Sequence, residues 1–147
     1  MSSEELMQDP MVSHPAHYTL GSGVECLDLI RYQHVDIAQA IKYVYRWRNK
    51  FNPQQDLAKA MFFLQDLKKE LDKGLPQHLF ITYHESADNY ILFNKHISWL
   101  ESEGFELDAD FFSAIAVFTH PGVDDTTYIL DDAINALEEL ICIASKE

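Results

Sequence analysis

Positive charge is scarce in this chain. Eleven Lys and Arg stand against 24 Asp and Glu, a formal net charge of −13 at pH 7. That balance excludes non-specific binding to nucleic acid or to an anionic membrane surface, because both polyanions are repelled. Cysteine is scarcer still, with Cys26 and Cys142 alone. Two thiols, each inside an apolar helical pattern and without a second thiol nearby, exclude a disulfide scaffold and a zinc site built on cysteine pairs. Both are expected to be buried and reduced, in a cytoplasmic protein. No apolar run approaches the ~20 residues that span a bilayer, and the acidic segment Met1–Pro10 lacks a signal-peptide core. Also missing are the glycine-rich phosphate cradles G-x-x-x-x-G-K-[ST] and G-x-G-x-x-G, the H-E-x-x-H zinc helix and the serine-nucleophile signatures. Any phosphate chemistry must therefore rest on side chains.

What positive charge exists is gathered in one place. Nine of the eleven basic residues lie between Arg31 and Lys73. Residues 1–74 carry nine basic and ten acidic side chains, whereas residues 75–147 carry two and fourteen. Cation concentrated inside an acidic protein suits a small anion, phosphate first, better than a nucleic-acid surface.

At 147 residues and 47% apolar content the chain can bury one proper core. Residues 1–13 read as a loose leader, and His14–Gly23, with Pro15, Gly21 and Gly23, as an ordered loop. A short helix is predicted from Val24 to about Tyr32, and a second from Asp36 to Arg48 on the stripe Ile37, Ala40, Ile41, Val44. Asn52 as N-cap, Pro53 at the first helical position and Gln55 three residues on from the cap open a third helix. Its buried face is Leu57, Ala60, Met61, Leu64, Leu67 and Leu71, and Gly74 with Pro76 stops it. Leu79–Tyr83 is a candidate short strand. Ser86 can cap a helix ended by Gly104, Asp108 a shorter one with Phe111, Phe112, Ile115 and Phe118, and Asp124 or Asp125 a last one. The expected fold is all-α, a compact bundle of about six helices. Its division is a helical domain at 14–74 and an acidic helical extension at 75–147 packed on it.

Lys42, Arg46 and Lys50 recur at i, i+4, i+8, which stacks three cations on one helix face within reach of one polyanion. Tyr43 and Trp47 lie on the adjoining face at the same spacing. Cation beside aromatic supplies what nucleotide binding needs: charge and bidentate donors for phosphate, a flat face for the base. A solvated charged face with core aromatics fits the same spacing. His14, His17 and Tyr18 in the preceding loop can donate to phosphate or serve as acid or base near neutral pH. A loop packed by Pro15 and Tyr18 is the plainer reading, and H-x-x-H without its helical glutamate is no metal motif. Asp56 and Lys59 open the third helix one turn apart and can orient a ligand or form a surface pair. Asp28 can hold Arg31 or Arg46. Asp131, Asp132, Glu138 and Glu139 lack the paired spacing that two bridged magnesium ions require and read as a solvated face.

These residues resemble, over His14–Leu71, the small phage-encoded domains typified by the atypical nucleotide kinase of podoviruses. That pattern has an H-Y dipeptide, an I-E-x-I-(D/E)-x-I helix, a K-Y-x-x-R-x-x-x-K element and a D-L-x-K-A helix. Here they are His17-Tyr18, Val24-Glu25-Cys26-Leu27-Asp28-Leu29-Ile30, Lys42-Tyr43-Val44-Tyr45-Arg46 with Lys50, and Asp56-Leu57-Ala58-Lys59-Ala60. Where the family often has Ala-Gly after the arginine, Trp47-Arg48 stand here, and its extra residues precede the shared domain rather than follow it. The resemblance implies a phage-type enzyme that moves the γ-phosphoryl group of ATP to a deoxynucleoside monophosphate, dTMP or dGMP. In that role Lys42 and Arg46, with His17, are the catalytic candidates; His14, Tyr18, Tyr43, Trp47, Lys50, Asp56 and Lys59 are the nucleotide-binding ones. Mg2+ is admitted without a motif of its own, no resident metal is expected, and a homo-oligomer is implied. Two alternatives stay open: a protein that sequesters a nucleotide or nucleotide signal without turnover, and an interaction module whose acidic half meets a basic host protein.

Overall fold

Asn52 and Pro53 open the longest helix as their chemistry dictates: the Asn52 side chain accepts the Gln55 backbone N–H at 3.2 Å. The computed structural model describes residues 1–49, 51–74, 87–120 and 127–146, and of His17, Ala87, Asp88 and Thr127 only the backbone. The helices are α1 (Ser3–Gln8), α2 (Pro10–Ser13), α3 (Cys26–Ile30), α4 (Val35–Arg46), α5 (Pro53–Asp72), α6 (Ala87–Ser102), α7 (Glu106–Phe118) and α8 (Thr127–Ser145). Single 3-10 turns occur at Ala16–Tyr18 and Trp47–Asn49. The fold is all-α. Among the described residues the β-type pairing is one isolated antiparallel bridge, Thr19 to Glu25.

The six expected helices are α3 to α8, and the amphipathic stripes face inward. Ile37, Ala40, Ile41 and Val44 of α4 meet Leu57, Ala60, Leu64 and Leu67 of α5, all buried. Met61 and Leu71 of the same stripe are half-buried at its margin. Helix α7 is apolar nearly all round, with Phe111, Phe112, Ile115 and Phe118 enclosed, as befits a helix packed against both α6 and α8. Helix α8 in turn lies on α5, so buried residues of both sequence halves form one continuous core. Gly74 and Gly104, at φ +99° and +81°, take the left-handed conformation that ends α5 and α6. Tyr45 fastens the loop before α3: its hydroxyl accepts the Leu20 N–H at 3.0 Å and donates to the Val24 carbonyl at 2.6 Å.

Several expectations need correction. The leader carries α1 and α2, whose starts are capped by the Ser2 and Asp9 side chains, and neither helix buries a residue. Helix α3 is shorter than Val24–Tyr32; it starts after Glu25, whose N–H donates to Asp28 at 3.0 Å. Asp28 therefore caps its own helix rather than holding an arginine. Helix α4 stops at Arg46, where the chain tightens into a 3-10 turn that swings Trp47 into the core. Asp108 is no N-cap: Phe105 holds that place, and the Asp108 carboxylate is drawn to Trp47 and Arg48. Cys26 is buried, but Cys142 is exposed, two residues past the inward-facing Leu140 of α8. The candidate strand at 79–83, Lys50, Leu75, Pro76, Ser86, Asp124 and Asp125 lie outside the described residues.

At the start of α4, Asp36 is buried opposite Asp66 and Glu70 of α5. Burial, the hydrogen bond with Asp66 and the neighbouring charges push its carboxyl up to about 6. A carboxyl raised on folding above its unfolded value of ~3.9 binds its proton more tightly in the native state. Its stabilising effect is therefore full at low pH and lost as pH climbs through about 6. Asp36→Asn is expected to raise the melting temperature by a few degrees, about 1 kcal/mol, near pH 8, and to lose that advantage near pH 5. Thermal denaturation of both proteins across this range checks it.

Candidate functional site

The apolar stripe of α4 leaves Lys42, Tyr43 and Arg46 half-buried on its flank, facing the first turns of α5 and the Ala16–Tyr18 turn. Arg46 is the pivot. Its Nε and one Nη donate to the two oxygens of Asp56 at 3.2 and 3.3 Å, and the other Nη donates to the Tyr18 hydroxyl. Only 14% of the Arg46 side chain and 7% of the Asp56 side chain are exposed. The planar guanidinium matches the carboxylate fork, and Asp56 in the first turn of α5 also meets the positive end of that helix. Burial pushes the Tyr18 phenol up despite the opposing pull of Arg46, so its oxygen accepts as a neutral hydroxyl.

Around this pair the cations converge on one ring. Arg46 lies 4.8 Å, Lys42 5.0 Å and Lys59 5.4 Å from the centroid of Tyr43, with the Tyr18 ring 5.5 Å from Arg46. Tyr43 is itself held nearly parallel to Phe63 of α5, centroids 6.3 Å apart. A ring's negative face steadies such charges at separations where they repel one another. Asp56 cancels Arg46, so the two lysine ammonium groups carry the surplus positive charge.

Lys42 also lines a groove of about 300 Å³ between the His14–Thr19 segment and α3. His14 stands at one edge, its Nδ1 2.5 Å from Glu25 Oε1. Glu25 and Cys26 line the wall with Lys42, and Val12, Leu27 and Ile30 supply apolar surface. Burial pushes the Cys26 thiol up to about 12, which leaves it an inert wall and no nucleophile. The groove thus offers a cation, an imidazole–carboxylate pair able to bind hydroxyls, and apolar surface. That set suits a phosphate ester carrying a ring.

Of the residues singled out in the sequence, Lys42, Tyr43, Arg46, Tyr18, Asp56, Lys59 and His14 come together in this one region. Trp47 does not join them. It is 2% exposed and donates its indole N–H to Asp108 at 3.0 Å, on the opposite flank of α4. The backbone of His17 lies in the 3-10 turn beside Tyr18, and Lys50 is outside the described residues. Glu25 and Cys26 were missed as groove residues; the capping position before α3 was the available signal. Among the described residues no three His, Cys, Asp or Glu side chains are grouped to hold a metal ion, and no helix is long and apolar enough to cross a membrane.

Over residues 12–65, little more than a third of the chain, the sequence is similar to a family described as a protein of unknown function, DUF3310. That span takes in the groove and the whole cation cluster. No curated protein and no solved structure matches the chain.

Because Arg46 and Asp56 are both largely enclosed, removing one leaves the other charged and unpaired. Asp56→Ala is expected to cost about 3–5 kcal/mol in a denaturant titration, and the double change Arg46→Met with Asp56→Leu to recover most of it.

Proposed function

We propose that this chain binds a nucleoside monophosphate, with the phosphate at Lys42 and Lys59 and the nucleoside in the adjoining groove. The observation that carries this reading is the double placement of Lys42. Its ammonium group lies against the Tyr43 ring beside Arg46 and Lys59, and the same side chain lines the groove. One phosphate dianion can bridge two lysines here with little rearrangement, because Phe63 and Arg46 already hold the Tyr43 platform. Glu25, or the His14 imidazole, suits a sugar hydroxyl, and Val12 and Leu27 suit the base.

The activity that the sequence resemblance adds is phosphoryl transfer from ATP to this monophosphate, a deoxynucleoside monophosphate such as dTMP or dGMP, in a phage-type kinase of the cytoplasm. Such transfer depends on positioning and on cations near the migrating group, both of which the cluster supplies. His17 and Lys50 complete the set on this reading. A homo-oligomer would provide walls for ATP that a groove of about 300 Å³ does not. The second reading, capture of the nucleotide without turnover, is favoured by one specific feature: Asp56 neutralises Arg46, the residue best suited to a transition-state oxyanion.

Calorimetric titration with dTMP, dGMP and ATP, followed by chromatography of a mixture with Mg2+, separates these readings. Micromolar binding with ADP and a deoxynucleoside diphosphate appearing supports the kinase; binding without product supports capture; no binding of any nucleotide removes both. Lys42→Ala is expected to weaken monophosphate binding by about 1.5–3 kcal/mol and Lys59→Ala by about 1 kcal/mol, with melting temperatures near that of the parent.

A further inference from the structure

A second cavity, of about 640 Å³, lies between α4, α6 and α7 and shares Thr19 with the first groove. Its character is different. Aromatic rings of Tyr45, Trp99, Phe105 and Phe112 form the walls. The charged pair in the lining is Arg48 with Asp108, joined by two hydrogen bonds of 2.9 and 3.2 Å. Asp108, its side chain 4% exposed, also takes the Trp47 N–H, so this carboxylate is satisfied and the Arg48 charge is cancelled. The guanidinium is further laid flat over the Phe105 ring at 3.9 Å. Among the described residues, the lining carries no surplus charge to attract an anion.

His96 reaches this cavity from α6 and is fully buried. Its ring is sandwiched between Tyr45 at 5.0 Å and Trp99 at 5.8 Å, with Phe112 edge-on at 4.9 Å. Nδ1 is engaged by the Ser22 hydroxyl at 2.9 Å. His96 belongs to the cavity lining and Ser22 does not. Its Nε2 is buried with no hydrogen-bond partner among the described residues. Burial holds the imidazole neutral, at about 4. Since the Ser22 hydroxyl can rotate, the two ring nitrogens can exchange roles, and Nε2 can present either a proton or a lone pair. Gly21 sets the opposite wall: a Cβ there would stand 3.0 Å from the Trp99 indole, so the absence of a side chain is what lets that ring lie against the loop.

We propose that this cavity is a binding site for a neutral, planar nitrogen heteroaromatic compound that packs against its aromatic walls and exchanges a hydrogen bond with Nε2 of His96. The ring walls select a flat ligand, the cancelled Arg48–Asp108 pair selects a neutral one, and the orphaned Nε2 selects one with a ring nitrogen or N–H. This site is independent of the lysine cluster and of the phosphate reading.

The test is titration of the full chain with benzimidazole and with adenine, followed by indole fluorescence excited at the red edge, where the probes do not absorb. A saturable change is expected from at least one probe. Ala16→Phe places a ring at the exposed mouth without touching the core and should abolish the change. His96→Phe keeps the ring volume, removes the hydrogen bond and should weaken binding roughly fivefold or more. The double change Lys42→Ala with Lys59→Ala should leave probe binding as it is. Three results overturn the proposal: no saturable change from either probe up to its solubility, Ala16→Phe binding as the parent does, or equal weakening by the lysine changes. The first and second speak against the cavity, and the third assigns the probes to the phosphate groove. None of them bears on monophosphate binding, which is read separately. Should His96→Phe fail to fold, Ala16→Phe alone decides.

Discussion

The bidentate pair between Arg46 and Asp56 is the constraint on which the front of this molecule depends. It joins the last turn of α4 to the first turn of α5 and, through the Tyr18 hydroxyl, the loop before α3. Two charges withdrawn from water are tolerated only because each satisfies the other with good geometry. The consequence for the cluster is a division of labour. Arg46 is spent on architecture, fixing the angle at which Tyr43 presents its ring, while Lys42 and Lys59 keep charge to offer a ligand. A residue that looks most like a phosphate binder is thus the frame for its neighbours.

The turn after Arg46 ties in the acidic half. Trp47 and Arg48 both end on Asp108 of α7, and Arg48 stacks on Phe105 ahead of that helix. The two positions directly after Arg46 thus hold the residues that grip α7. Arg48 also lines the cavity around His96, while α8 of the acidic half covers α5.

Helix positions were legible because they follow from local rules: the apolar stripes of α4 and α5, the Asn52–Pro53 start, the glycines after α5 and α6. Helical spacing likewise put Lys42 and Arg46 on one face beside Tyr43, but Asp56 as the partner of Arg46 was not legible, and Asp28 was the candidate instead. What was not legible depended on long-range partners. Trp47 shares the helical spacing of Tyr43, and only Asp108, 61 residues away, decides that it turns inward. Whether Asp108 caps α7 or serves Trp47 has no local signature. His96 reads as one more residue of a helix, because its role comes from rings on α4, α6 and α7.

The hydroxyl of Tyr45 has a dynamic consequence. It occupies both a donor and an acceptor of the loop before α3, and burial pushes it up to about 12, so it keeps its proton throughout the physiological range. The Leu20 amide cannot exchange its hydrogen with solvent until that hydroxyl withdraws, and Tyr45 is rooted in the core at 3% exposure. Releasing that loop breaks two hydrogen bonds to a side chain anchored in α4 and so couples the loop to that helix.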